Sequence, residues 1–169
     1  SRLPYVNDLT VDDHFAYRSA ADFLGAARGK QFLLLYVNAL HAPFQTASSY
    51  PIPPRLSGRR SRAAAIAEQG FGDLFAALRR SGRFDDALII IAGDHGEFDN
   101  SEAILKPRSR LETYDAQIVS PIFMIKPPAS LPRDRLAMLR KNGDALVASI
   151  DWAPTVADLL GGEPVAPLG

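Results

Sequence analysis

The sequence predicts an α/β fold, and three observations carry that prediction. Two short continuous apolar runs, Phe32-Leu33-Leu34-Leu35-Tyr36-Val37 and Ala87 to Ala92, have the length and the aliphatic content of strands buried on both faces. Longer stretches carry apolar residues at the three- and four-residue spacing of an amphipathic helix. The two kinds of segment alternate along the chain, as they do where helices cover a parallel or mixed sheet.

Thr10 followed by Asp13 resembles a capping box, with Asp in place of the usual Glu or Gln. The next stretch, Phe15 to Ala27, places Phe15, Ala16, Ala20, Phe23, Leu24 and Ala27 at helical spacing, and Gly29 supplies a stop. Phe32 to Val37 is the first expected strand. Asn38 to Pro54 reads as loop, because Pro43, Pro51, Pro53 and Pro54 block regular structure. Ser61 to Arg80 is the clearest helix, with Ala67, Phe71, Leu74, Phe75 and Leu78 on one face. Arg79 and Arg80 suit the negative end of its dipole, and Gly82 ends it. Ala87 to Ala92 is the second strand. Gly93 to Thr113 is polar and irregular, and a loop of that length inside a compact domain tends to be functional. Ile118 to Lys126 reads as a third strand, with Pro121 favouring an edge or a strand start. Leu131 to Lys141 reads as a helix and Ala145 to Ile150 as a fourth short strand. Asp151 is expected to cap a last helix, Trp152 to Leu160, with Pro154 tolerated in its first turn and Gly161-Gly162 closing it.

A chain of 169 residues suffices for one domain with its own core, and residues 1–169 are read as a single domain. Nineteen basic and nineteen acidic residues give a net charge of zero, so global charge does not argue for nucleic acid or an anionic membrane as partner, and neither is expected as a direct partner of this chain. There is no cysteine, so disulfides, thiolate metal sites and a cysteine nucleophile are excluded within the chain. No apolar run approaches the roughly 20 residues that span a bilayer. No signal peptide is visible at Ser1, and the absence of an initial Met leads us to expect a processed or trimmed piece of a longer protein.

Open α/β sheets bind ligands at the carboxyl ends of their strands. Gly93-Asp94-His95-Gly96 stands at such an end. Asp94 brings a hard anionic oxygen and His95 an imidazole nitrogen, a donor pair that suits Zn²⁺ or Mn²⁺, and the flanking glycines let the backbone turn closely around a ligand. His41, in Asn38-Ala39-Leu40-His41-Ala42-Pro43-Phe44, follows the other run and is expected to face the same crevice if the strands are neighbours. There it can bind a substrate oxyanion or protonate a leaving group. The cluster Arg55, Arg59, Arg60 and Arg62 reads as solvated surface, with phosphate or sulfate binding as the alternative.

Taken together, these segments resemble the C-terminal half of the alkaline phosphatase and sulfatase superfamily, nearest to its sulfatase-type branch of bacterial membrane-anchored phosphoethanolamine and phosphoglycerol transferases. Phe32 to Phe44 resembles the strand leading into a His-x-Pro-Phe loop. Glu68 to Leu78 resembles a family helix in which Asp commonly stands at the position of Glu68. Leu88 to Glu97 resembles the strand ending in Asp-His-Gly-Glu. Tyr114 to Pro127 and Ser149 to Gly161 resemble the two C-terminal segments.

The resemblance implies a three-layer sandwich with a mostly parallel mixed sheet, alkaline-phosphatase-like, of which the N-terminal part is missing here. It implies a divalent metal cofactor (Zn, Mn, Mg or Ca) held by Asp94 and His95. His41 would serve as the catalytic and substrate-binding histidine. Where some branches carry a further His or Lys after Asp-His-Gly, this loop has no His; its available cations are Lys106, Arg108 and Arg110, and Lys106 and Arg108 are expected to bind the anionic substrate. Asp151, Pro154 and Thr155 would set the final helix. The implied activity is metal-dependent hydrolysis or transfer of phosphate or sulfate esters through a covalent intermediate. The nucleophile, a Thr, Ser or formylglycine, would lie outside this chain, so the chain alone is expected to bind metal weakly and turn over no substrate. The implied location is the periplasmic or extracellular face of the cytoplasmic membrane, reached only through segments outside the chain. Two other functions compete. One is a catalytically inactive sulfatase-like domain that binds or senses an anionic lipid or glycan. The other is a serine hydrolase, disfavoured by the absence of a Gly-x-Ser-x-Gly elbow.

Overall fold

Asp12 starts the first helix. Its Oδ1 accepts the backbone N–H of His14 at 3.1 Å and its carbonyl accepts that of Ala16 at 3.2 Å, so a side chain fills one of the donors that a helix start leaves open. The expected capping box differs. Thr10 lies outside the described residues, and Asp13 is the first helical residue, its carboxylate turned to the chain at Asn38 and Ala39. The computed structural model describes residues 12–26, 28–41, 44, 52–96, 120–145 and 147–162, and the chain falls into two compact units, 1–84 and 85–169.

In the first unit, α1 (Asp13–Ala26) packs on α2 (Arg59–Arg80). The buried residues of α2 are Ala63, Ile66, Ala67, Gly70, Leu74, Ala77 and Leu78, which follow the three- and four-residue spacing of a single helical face. Tyr17, Ala20 and Leu74 form the core, with Leu24, Leu35, Val37, Phe71 and Phe75 packed around it. Tyr17 is fully buried and meets the Phe71 ring edge-on at 5.5 Å. Its ring lies so close to α2 that a Cβ on Gly70 would fall inside it, and this close approach is why a glycine stands in mid-helix. The expected face of α1 is therefore corrected. Ala20 and Leu24 point inward as read, but Phe15 and Phe23 are exposed, and Tyr17, polar at its tip, takes the centre. At the far end of α2, Gly82 adopts φ +70°, and Gly82 and Arg83 donate to the carbonyls of Arg79 and Leu78, closing the helix.

The run Phe32 to Val37 departs from expectation. It carries no ladder among the described residues, and Phe32, Leu34 and Tyr36 are 82, 81 and 78 % exposed. Leu35 and Val37, on the alternate positions, pack against the helix core. The physical reason is the two-residue alternation of extended chain: α1 and α2 cover one face only, whereas a continuous apolar run reads as covered on both.

In the second unit, β1 (Ile89–Ala92) pairs antiparallel with β2 (Phe123–Lys126), in the register Ile89↔Lys126 to Ala92↔Phe123. The N–H of Gly93 donates to Ile122 at 2.9 Å and extends the ladder by one bond. Pro121, which has no N–H to give, stands just before this point, as its chemistry requires. Lys126 Nζ donates to the carbonyls of Asp85 and Ala87 at 2.7 and 3.0 Å and closes the opposite end. The chain is α/β, but the ladder among the described residues is antiparallel, and the parallel strands of the expected sheet are not found among them.

Next come α3 (Arg133–Asn142), a 3₁₀ turn (Ser149–Asp151) and α4 (Trp152–Leu159). Trp152 stacks on Phe123 with centroids 5.0 Å apart and planes 5° from parallel. Arg135 joins α3 to α4 through the carbonyl and carboxylate of Asp158. The fourth expected strand is replaced at its end by the 3₁₀ turn. The Asp151 carboxylate accepts the N–H of Ala148 at 2.8 Å and draws the backbone into a helical turn, while Thr155 Oγ1 donates to the Asp151 carbonyl. Among the described residues no helix is long and apolar enough to cross a membrane.

Candidate metal and anion site

The β1 strand delivers Asp94 and His95 one and two residues beyond its last ladder bond. The two side chains meet on one side of the turn, with His95 Nε2 3.7 Å from Asp94 Oδ2. A second Asp94 oxygen accepts the backbone N–H of His95 at 3.1 Å. His95 Nδ1 lies 2.6 Å from the carbonyl of Gly96, and since a carbonyl only accepts, Nδ1 carries the proton. Nε2 is the ring nitrogen that faces the carboxylate. Both side chains are open to solvent, 51 % for His95 and 85 % for Asp94.

This donor pair fits a divalent cation. Two donors bound to one tetrahedral ion at about 2.1 Å lie about 3.4 Å apart, close to the separation seen here. An imidazole that donates its other N–H to a backbone carbonyl also has the support usual for metal-bound histidines. No group of three or more His, Cys, Asp or Glu is assembled among the described residues, so a closed site needs donors from elsewhere.

His41 belongs to the first unit, and Asp94 and His95 to the second. It sits exposed in a turn in which its N–H donates to Asn38 at 3.0 Å and its carbonyl accepts Phe44 N–H at 2.8 Å. Phe44 has φ +58°, a left-handed conformation that a side chain rarely adopts, and the Arg60 guanidinium lies over its ring at 5.6 Å. Of the arginine cluster, Arg59, Arg60 and Arg62 stand in the first turn of α2, and Arg55 precedes it; all are exposed. Lys106 and Arg108, with Arg110, lie outside the described residues.

Sequence reasoning missed the role of Asp13. The residue is 8 % exposed, and its carboxylate accepts the one Asn38 N–H at 2.9 and 3.1 Å, shared between its two oxygens, and the Ala39 N–H at 2.5 Å. Burial pushes its carboxyl above the ordinary carboxylate value; the Ala39 and Asn38 N–H groups hold it down, and the charge of Asp12 pushes it up. Burial also pushes the Tyr17 hydroxyl above the usual phenol range, with the charge of Asp13 adding to the shift. No local sequence signal marks a contact across 25 residues.

A model of the Sulfatase family matches residues 2–162. The chain belongs to the Sulfatase family. The match spans both units and covers His41, Asp94 and His95 together. Sulfatase proteins are usually enzymes, are typically metal-dependent and act on anionic esters, which is chemistry that a carboxylate–imidazole pair can serve. No solved structure matches the chain.

Proposed function

We propose that this Sulfatase chain carries part of the site of a divalent-metal-dependent hydrolase or transferase of phosphate or sulfate esters, with Asp94 and His95 as metal ligands. The observation that supports it most is the 3.7 Å approach of His95 Nε2 to Asp94 Oδ2, with Nδ1 engaged by Gly96. When bound, a divalent ion supplies Lewis acidity toward an ester oxygen and lowers the pKa of a coordinated hydroxyl. The residues of the chain do the rest. Asp94 offsets positive charge with one carboxylate oxygen while the other holds the turn through the His95 N–H. His95 keeps its ring orientation through the Nδ1 contact with the Gly96 carbonyl. His41 binds an ester oxygen and donates a proton to the leaving group, and Lys106 and Arg108 add positive charge toward the substrate. A hydroxyl nucleophile outside this chain takes the transferred group covalently and passes it to water or an acceptor alcohol. A single Sulfatase domain working at the outer face of the cytoplasmic membrane is part of the same reading.

Mn²⁺ titration followed by NMR tests the ligand assignment without substrate. Paramagnetic broadening is expected first at the Gly93 to Gly96 amides and at the His95 ring. Asp94→Asn and His95→Ala should each weaken the Mn²⁺ response at least tenfold. Broadening centred elsewhere, or unchanged in both variants, would remove Asp94 and His95 from the metal site.

A further inference from the structure

The His41 turn is anchored from α1 by a group whose burial is otherwise unfavourable. Asp13 lies in the first helical turn, almost wholly enclosed, and among the described residues its carboxylate meets no cation. A buried carboxylate without a counter-ion is destabilising unless hydrogen bonds replace its lost water. Here they come from one place, the consecutive N–H groups of Asn38 and Ala39. Ala39 is itself buried, so the bond to it is shielded from competing water.

From that grip the backbone runs straight to His41. Asn38, held through its N–H by Asp13, accepts the N–H of His41 through its carbonyl. The carbonyl of His41 then accepts Phe44 N–H, and Phe44 sits in a left-handed conformation beneath Arg60. A residue with φ +58° and a Cβ persists only where its surroundings over-determine it, and such positions gather at sites where geometry matters. The turn is thus fixed at both ends, by a carboxylate before His41 and by an aromatic–guanidinium contact after it. His41 stands exposed between them.

We propose that Asp13 is the positioning residue for His41, its carboxylate holding the Asn38–Ala39 backbone so that the imidazole is presented in one place to the anionic ester. This rests on the reading of His41 as an ester-binding residue, but the grip itself is measurable without metal or substrate. The negative charge matters: an N–H bond to a carboxylate is about twice as strong as one to a neutral acceptor. Asp13→Asn keeps the shape but loses that charge, and one of its two arms becomes a donor facing donors. Asp13→Ala removes the grip entirely.

The full chain, labelled with ¹⁵N and ¹³C, provides the test. In the wild type, scalar coupling across the hydrogen bonds should join the Asn38 and Ala39 nitrogens to the Asp13 carboxyl carbon. Amide exchange at Asn38 and Ala39 should quicken at least tenfold in Asp13→Ala and by a smaller factor in Asp13→Asn, while amides around Tyr17 and Leu74 keep their protection. Titration with inorganic phosphate, followed at the His41 ring, should show affinity reduced about fivefold or more in both variants. Rescue by Asp13→Glu is expected to be partial, since the extra methylene misplaces the carboxylate. Unchanged exchange at Asn38 and Ala39 in a folded variant, or a His41 phosphate response as strong as wild type, overturns the proposal. Should neither variant fold, absence of the cross-bond coupling in the wild type overturns it as well. Failure of the functional reading looks different: the wild-type His41 ring then ignores phosphate, while the coupling and the exchange differences remain.

Discussion

In the first unit two helices close over Tyr17, and the turn bearing His41 is tied into that packed region through Asp13. In the second unit the turn bearing Asp94 and His95 hangs from a four-residue antiparallel ladder, and no described residue there is fully buried. The difference concerns what fixes a candidate functional side chain. Around His41, apolar packing holds a carboxylate that holds a backbone, so position depends on the core. Around Asp94 and His95, position depends on the main-chain bond from Gly93 to Ile122 and on the contact of the His95 ring with the Gly96 carbonyl. Under the proposed metal assignment exposed donors tolerate that arrangement, because a bound ion would supply the organisation that packing does not.

The sharpest way to break this contrast is to strain the first unit at its closest approach. Gly70→Ala sets a methyl group inside the Tyr17 ring. In an open helix the change would gain up to about 1 kcal/mol. Here the helices must part, and overpacking of this depth is expected to outweigh that gain and leave a net loss of about 3 kcal/mol in urea unfolding. The loss should reach the His41 turn as faster exchange at Asn38 and Ala39, and leave the β1–β2 amides as they were. Wild-type stability in Gly70→Ala would mean that Tyr17 does not rest on Gly70.

In the second unit the corresponding lever is Trp152, whose ring lies flat on Phe123. Trp152→Ala removes an aromatic contact worth about 0.5–1.5 kcal/mol beyond the apolar area it covers, so a loss near 2 kcal/mol is expected. Exchange should rise along Phe123 to Lys126 and their β1 partners, with the Tyr17 region unaffected. Equal effects in both units would erase the distinction between a packed anchor and a main-chain anchor.

Much of this organisation was legible from residue spacing. The face of α2 and, to within two residues, the limits of the helices among the described residues follow from periodicity and stop residues, because a helix buries one stripe and the stripe is local in sequence. The Asp94–His95 pair was legible for the same reason: adjacent residues at a strand end cannot be far apart. What escaped was set by contacts distant in sequence. The exposure of Phe32, Leu34 and Tyr36 depends on which face of the run α1 and α2 happen to cover. Asp13 looks like a capping residue to any local reading, yet its bonds are made 25 and 26 residues away. Asp151 misled in the other direction. It stands at the N-cap of the last helix as its position predicts, but its carboxylate folds back on Ala148 instead of capping that helix, turning an expected strand end into a 3₁₀ turn.

The smallest effect offers the cleanest control, because it lies two residues from the largest. Gly72 is on the exposed side of α2, and a Cβ built there meets nothing within 4 Å. Gly72→Ala should therefore express helix propensity alone: the unfolded chain loses conformational freedom, the helix interior gains a better former, and stability rises by about 0.5–1 kcal/mol. Neither the Asn38–Ala39 exchange rates nor the Mn²⁺ response should change. Opposite signs for one substitution at Gly70 and Gly72 would locate the packed face of α2 to within a single turn. If Gly72→Ala destabilised instead, a neighbour would have to cover that side of the helix, and the first unit would be packed on two faces rather than one.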